Sequence, residues 1–159
     1  KFIFILRVPI DRMWSQIRMA IKTTNPPPPC FQDACIARAQ HLISTGRLTK
    51  IERADYRRTI NELEAAIPSD RIKYLFYEDL FKPASMDRLC GFLGIRKIAA
   101  DPDTHINPGT KAVMPKDVRA GLFDAFAPQY AFVQERFGDL LPDQWDGGFQ
   151  STLPPTGTA

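Results

Sequence analysis

The sequence predicts an α/β fold, a parallel sheet flanked by helices, and three observations predict it. Phe2-Ile-Phe-Ile-Leu6 is an apolar run rich in β-branched and aromatic residues. It is too short for a free-standing helix and suits a strand buried on both faces. An amphipathic helix follows at once, so the opening reads as strand, tight turn, helix, the first half of a βαβ unit. A second strand, Arg71-Ile-Lys-Tyr-Leu-Phe-Tyr77, lies between two further helical segments.

Each element has its own signal. Arg7 ends the first strand, and Pro9 supplies the fixed φ of a first helical turn. Asp11 puts a carboxylate at the positive helix end. Ile10, Met13, Trp14, Ile17 and Ile21 then recur at helical spacing. The proline run Pro26–Pro29 stops helicity and favours an extended surface connector. A short helix over Phe31–Leu42 and a longer one over Ile51–Ile67 follow, the second with Tyr56, Ile60, Leu63 and Ile67 on one stripe. Pro68 ends it. After the second strand, Pro83 and Ser85 open a helix that Gly94 stops. Ala99–Met114 lacks periodicity and reads as a long loop. Pro115 starts a helix carrying Val118, Leu122, Ala125 and Phe126, and a last helix, Tyr130–Phe137, stops at Gly138. One domain over 1–146 and a disordered Pro/Gly-rich tail over 147–159 are expected.

Ligands of such sheets bind in the crevice beyond the carboxyl ends of the strands. Arg7 stands at that end, and Arg12 and Ser15 are three apart, hence on one helix face. Two guanidinium forks and a hydroxyl can surround a phosphate. A strand-end charge in water beside an incidental serine is the other reading, and these residues alone leave both open.

Arg7-x-Pro9-x-x-Arg12-x-x-Ser15 after an apolar strand resembles the 3′-phosphate-binding segment of the PAPS-dependent sulfotransferases, here of bacterial type. Val8 stands where the bacterial pattern usually has Asp. Tyr56 at the head of a helix, a proline turn, a strand, Tyr77-Glu78-Asp79-Leu80 and a helix closing on Phe92-Leu93-Gly94-Ile95 look like the middle region of that family. Leu141-Pro142-x-x-Trp145 is similar to its closing tryptophan. The resemblance implies a P-loop-NTPase-like fold, with this chain the C-terminal part of the domain and truncated at its N-terminus. It also implies that Arg7 and Ser15 grip the 3′-phosphate of 3′-phosphoadenosine-5′-phosphosulfate (PAPS), and that Tyr77 lies at the adenosine. Asn107 and Lys111, in the long loop, look like the asparagine and lysine of the family segment that folds over the cofactor. Lys111 reads equally as a surface lysine. Glu78 and Asp79 are expected to pair with nearby arginines, since free carboxylates beside a polyphosphate would oppose binding.

The totals exclude other classes. A net charge of +3 is too weak to argue for nucleic acid. No apolar run approaches membrane-spanning length and no signal-peptide pattern is present, so the chain reads as cytoplasmic. Three cysteines make no disulfide framework; Cys30 and Cys35 are close enough in sequence to pair, though reduced thiols are expected. Only His41 and His105 are available, without metal-ligand spacing, so no metal is expected. Neither histidine matches the family's catalytic base. That base and the 5′-phosphate loop with its lysine are expected upstream of Lys1.

The function expected is therefore sulfuryl transfer from PAPS to a hydroxyl or amine acceptor, a carbohydrate, lipid or protein tyrosine, with PAP as product. A P-loop kinase-like nucleotide enzyme and a non-catalytic helical interaction module are the alternatives.

Overall fold

In the computed structural model, which describes residues 1–101 and 109–148, the chain is mixed α/β and mostly helical. Its sheet among the described residues has two strands, β1 (Phe2–Leu6) and β2 (Ile72–Phe76). They pair in parallel from Phe2↔Ile72 to Leu6↔Phe76. Parallel neighbours need a long crossover, and three helices provide it: α1 (Pro9–Lys22), α2 (Phe31–Ser44) and α3 (Tyr56–Ala66). After β2 come α4 (Pro83–Leu93) and α5 (Lys116–Phe137).

The core lies on one face of the sheet. Phe4 meets Tyr56 and Tyr74 edge-on at ring centroids of 6.2 Å, and Phe76 meets Phe137 and Trp145 at 5.5 and 5.7 Å. Such edge-to-face pairs stabilise beyond the area they bury. Trp145 is 1% exposed and sits where β2, α3 and α5 converge, touching Tyr56, Phe76 and Tyr130. Burial of β1 on both faces is not what the structure has. Ile3 and Ile5, on the other face, are 41% and 39% exposed. The reason is coverage: α4 packs against β2 and leaves the outer face of β1 open. An apolar run marks a strand; which faces get covered depends on the other elements.

Three boundaries also differ from the pattern. The helix expected over Ile51–Ile67 begins only at Tyr56, after a 3₁₀ turn over Glu52–Ala54. Asp55 caps it by accepting the Arg58 backbone N–H at 3.1 Å, which favours a fresh start there. The first crossover helix after the prolines runs on to Ser44 rather than Leu42. Finally, α5 is one helix where two were expected, with Pro128 inside it. Proline removes one backbone donor. The continuous buried stripe Val118, Leu122, Phe126, Tyr130, Val133 and Phe137 holds the helix on both sides of it. Gly94 and Gly138, at φ 74° and 49°, end α4 and α5 as expected.

Cys30, Cys35 and Cys90 are all free thiols. Burial raises the pKa of Cys35 above its ordinary value. Among the described residues no helix is long and apolar enough to cross a membrane.

Candidate functional site

The turn between β1 and α1 is held by side chains from distant parts of the chain. Tyr56, the first residue of α3, is 1% exposed. Its hydroxyl accepts the Arg7 backbone N–H at 3.2 Å and donates to the Arg7 carbonyl at 2.6 Å. The next backbone N–H, of Val8, donates to Glu78 Oε1 at 2.9 Å. Glu78 Oε2 in turn accepts the Trp145 indole N–H at 3.0 Å. One carboxylate thus ties the strand-to-helix turn to the aromatic core. The arginine partners expected for the acidic pair are not the ones found. Glu78 takes two N–H donors, and Asp79 pairs with Lys82 at 2.7 Å.

Beside this turn opens a cleft of about 300 Å³. Arg12, Ser15, Gln16 and Met19, at helical spacing along α1, form one wall. Ile5, Arg7 and Tyr77 come from the ends of the two strands, and Arg53 from the 3₁₀ turn before α3. The Arg7 guanidinium lies over the Tyr77 ring, 4.6 Å from its centroid, a cation–π contact. Tyr77 itself is 45% exposed.

The electrostatics of this cleft are one-sided. Among the described residues, no carboxylate lies within ion-pair distance of Arg7, Arg12 or Arg53, and none lines the cleft. The acids adjacent to them in sequence are engaged elsewhere. Asp11 faces Arg119 at 3.5 Å, Glu52 faces Arg58 at 3.5 Å, and Asp55 takes the Arg58 N–H and the Gln129 amide. A larger cleft of about 540 Å³ runs along β2, but its arginines are occupied. Arg136 pairs with Glu64 at 2.8 Å, and Arg88 donates to Ser85 Oγ at 2.9 Å. Three guanidinium groups without an ion-pair partner among the described residues share the smaller cleft, which suits an anion with a flat or apolar body. Among the described residues, the lining holds no histidine or carboxylate.

Of the residues singled out in the sequence, Arg7, Arg12, Ser15 and Tyr77 share this cleft. Lys111 does not line it. Its segment is held on another face of α1, where Arg18 donates to the Thr110 carbonyl at 3.4 Å and Trp14 to the Ala112 carbonyl at 3.0 Å. Asn107 and His105 lie outside the described residues, as does the expected tail from residue 149 on. His41 is exposed on α2. Sequence reasoning missed Arg53, because its approach to α1 is a contact between segments far apart in sequence. The overlooked signal was Asp55 directly before the apolar stripe, an N-cap that ends the preceding turn.

The chain matches no protein-family model and no curated protein.

Proposed function

We propose that this cleft binds the 3′-phosphate and adenosine side of PAPS, and that the chain is part of a sulfotransferase acting on a hydroxyl or amine acceptor. The observation that carries the reading is the gathering of Arg7, Arg12 and the Ser15 hydroxyl in one cleft, with no carboxylate among the described residues opposing them and an aromatic ring at its edge. A phosphate suits paired guanidinium donors and a short hydroxyl. A nucleobase suits the exposed ring of Tyr77, stacking being tolerant of base identity. The residues present therefore fit the group. The P-loop-NTPase-like architecture belongs to the same proposal, as does PAP as the product.

When bound, the donor supplies a sulfuryl group whose transfer leaves a phosphate behind, by analogy with phosphoryl transfer. This chain's own part is to hold and orient. Arg7 is aimed by its backbone bonds to Tyr56 and by its stacking on Tyr77. Arg12 and Ser15 are fixed along a helix whose buried face carries Ile10, Met13, Trp14 and Ile17. Placement of this kind lowers the entropy lost on reaching a reactive geometry.

The direct test is titration of the protein with adenosine 3′,5′-bisphosphate and, separately, with ATP. Saturable binding of the bisphosphate, tighter than that of ATP, is the expected result. Preference for ATP would point to a kinase-like enzyme, and binding of neither would leave no nucleotide function for the cleft.

A further inference from the structure

Arg53 reaches the cleft from outside the strand–turn–helix motif that carries Arg7, Arg12 and Ser15. It sits in the middle of the Glu52–Ala54 turn, exposed, between two residues with different duties. Ala54 is 2% exposed and anchors the turn in the core, while Glu52 is drawn outward to Arg58 at 3.5 Å. The other nearby carboxylate, Asp55, is committed to the start of α3 and to Gln129. Arg53 is left lining the cleft with no hydrogen-bond or ion-pair partner among the described residues. An exposed arginine that is kept clear of two adjacent carboxylates and shares a cleft with Arg7 and Arg12 adds its charge to theirs and favours an anion there.

We propose that Arg53 is a further anion-binding residue of this cleft, reaching the bound phosphate from the turn before α3. The ligand class it selects is a nucleotide with a phosphate on the ribose in addition to the 5′ group. The inference rests on the nucleotide reading above and adds a residue and a selectivity to it. Arg53 acts at an exposed position, so its contribution is screened by salt more strongly than that of Arg7.

The test compares Arg53→Gln, Arg7→Ala and Arg38→Gln, the last removing an exposed arginine of α2 that does not line the cleft. Each is titrated at low ionic strength with adenosine 3′,5′-bisphosphate and with adenosine 5′-phosphate. Arg53→Gln is expected to weaken bisphosphate binding about tenfold, the lower end for a charge-assisted hydrogen bond, and to affect the 5′-phosphate less. Arg38→Gln is expected to stay within about twofold, as a distant surface charge should. Equal small losses for Arg53→Gln and Arg38→Gln, with Arg7→Ala clearly impaired, would overturn the role of Arg53 and leave the nucleotide reading standing. Unchanged affinity in Arg7→Ala would overturn that reading, and the inference with it.

Discussion

The hydroxyl of Tyr56 closes a ring on the backbone of Arg7, taking its N–H at 3.2 Å and giving its own proton to the carbonyl at 2.6 Å. Arg7 lies just past the last paired residue of β1, where ladder partners run out. A side chain forty-nine residues away supplies what the sheet does not. Tyr56→Phe keeps the ring against Phe4 and Trp145 but strands both backbone groups. It should destabilise the chain by about 1–3 kcal/mol. A lower denaturant midpoint at unchanged slope is the readout. Nucleotide affinity should fall as well, since Arg7 is no longer aimed.

Glu78 is the second clasp. Glu78→Gln is nearly isosteric, yet its amide nitrogen cannot accept, so either the Val8 N–H or the Trp145 indole meets another donor. A cost of about 1.5–3 kcal/mol is expected, the range for hydrogen bonds to charged groups. Trp145→Phe removes one of the same bonds. The double substitution should therefore cost less than the sum of the two, and strict additivity in a double-mutant cycle would argue against the shared bond.

The opening strand, its proline-started helix, the second strand and the α4 segment could be read directly, because local periodicity and turn chemistry decide them. The reach of α5 through Pro128 could not. Proline is a local stop signal, overridden here by a buried stripe that continues on both sides. The exposure of Ile3 and Ile5 was equally hidden, since it depends on where α4 comes to rest. At the site, Arg7, Arg12 and Ser15 were legible from spacing along one strand and helix. The clasps of Tyr56 and Glu78 and the approach of Arg53 were not, being contacts between segments far apart in sequence.

Alkaline pH should unfold the chain through its tyrosines. Burial, then the hydrogen bond to Glu64 and that residue's charge, push Tyr74 up from 10.0 to about 12. Burial also raises Tyr56 and Tyr130. Between about pH 10 and 12 the folded chain keeps protons that the unfolded chain releases. Stability is then unaffected below pH 10 and falls as pH rises through this window. Tyr74→Phe should make the fall shallower in unfolding curves taken across it; an identical slope would remove Tyr74 from the explanation.

Tyr77→Ala takes away both the exposed ring and the surface on which the Arg7 guanidinium lies. Nucleotide affinity should drop by about 1–3 kcal/mol, as for loss of a stacked base. Because Tyr77 is 45% exposed, thermal stability should change little, which separates binding from folding. Unchanged affinity in the folded variant would remove the base from that ring.

The central claim is that Arg7 grips a ribose phosphate, and calorimetric titration of wild type and Arg7→Ala with two nucleotides tests it most directly. Adenosine 3′,5′-bisphosphate carries the gripped group, and adenosine 5′-phosphate lacks it. Arg7→Ala should weaken the bisphosphate by at least about tenfold and the monophosphate much less. Arg7→Lys should restore little, because a point ammonium lacks the paired donors. Equal losses for the two nucleotides would contradict the 3′-phosphate assignment and remove the main support for a sulfotransferase.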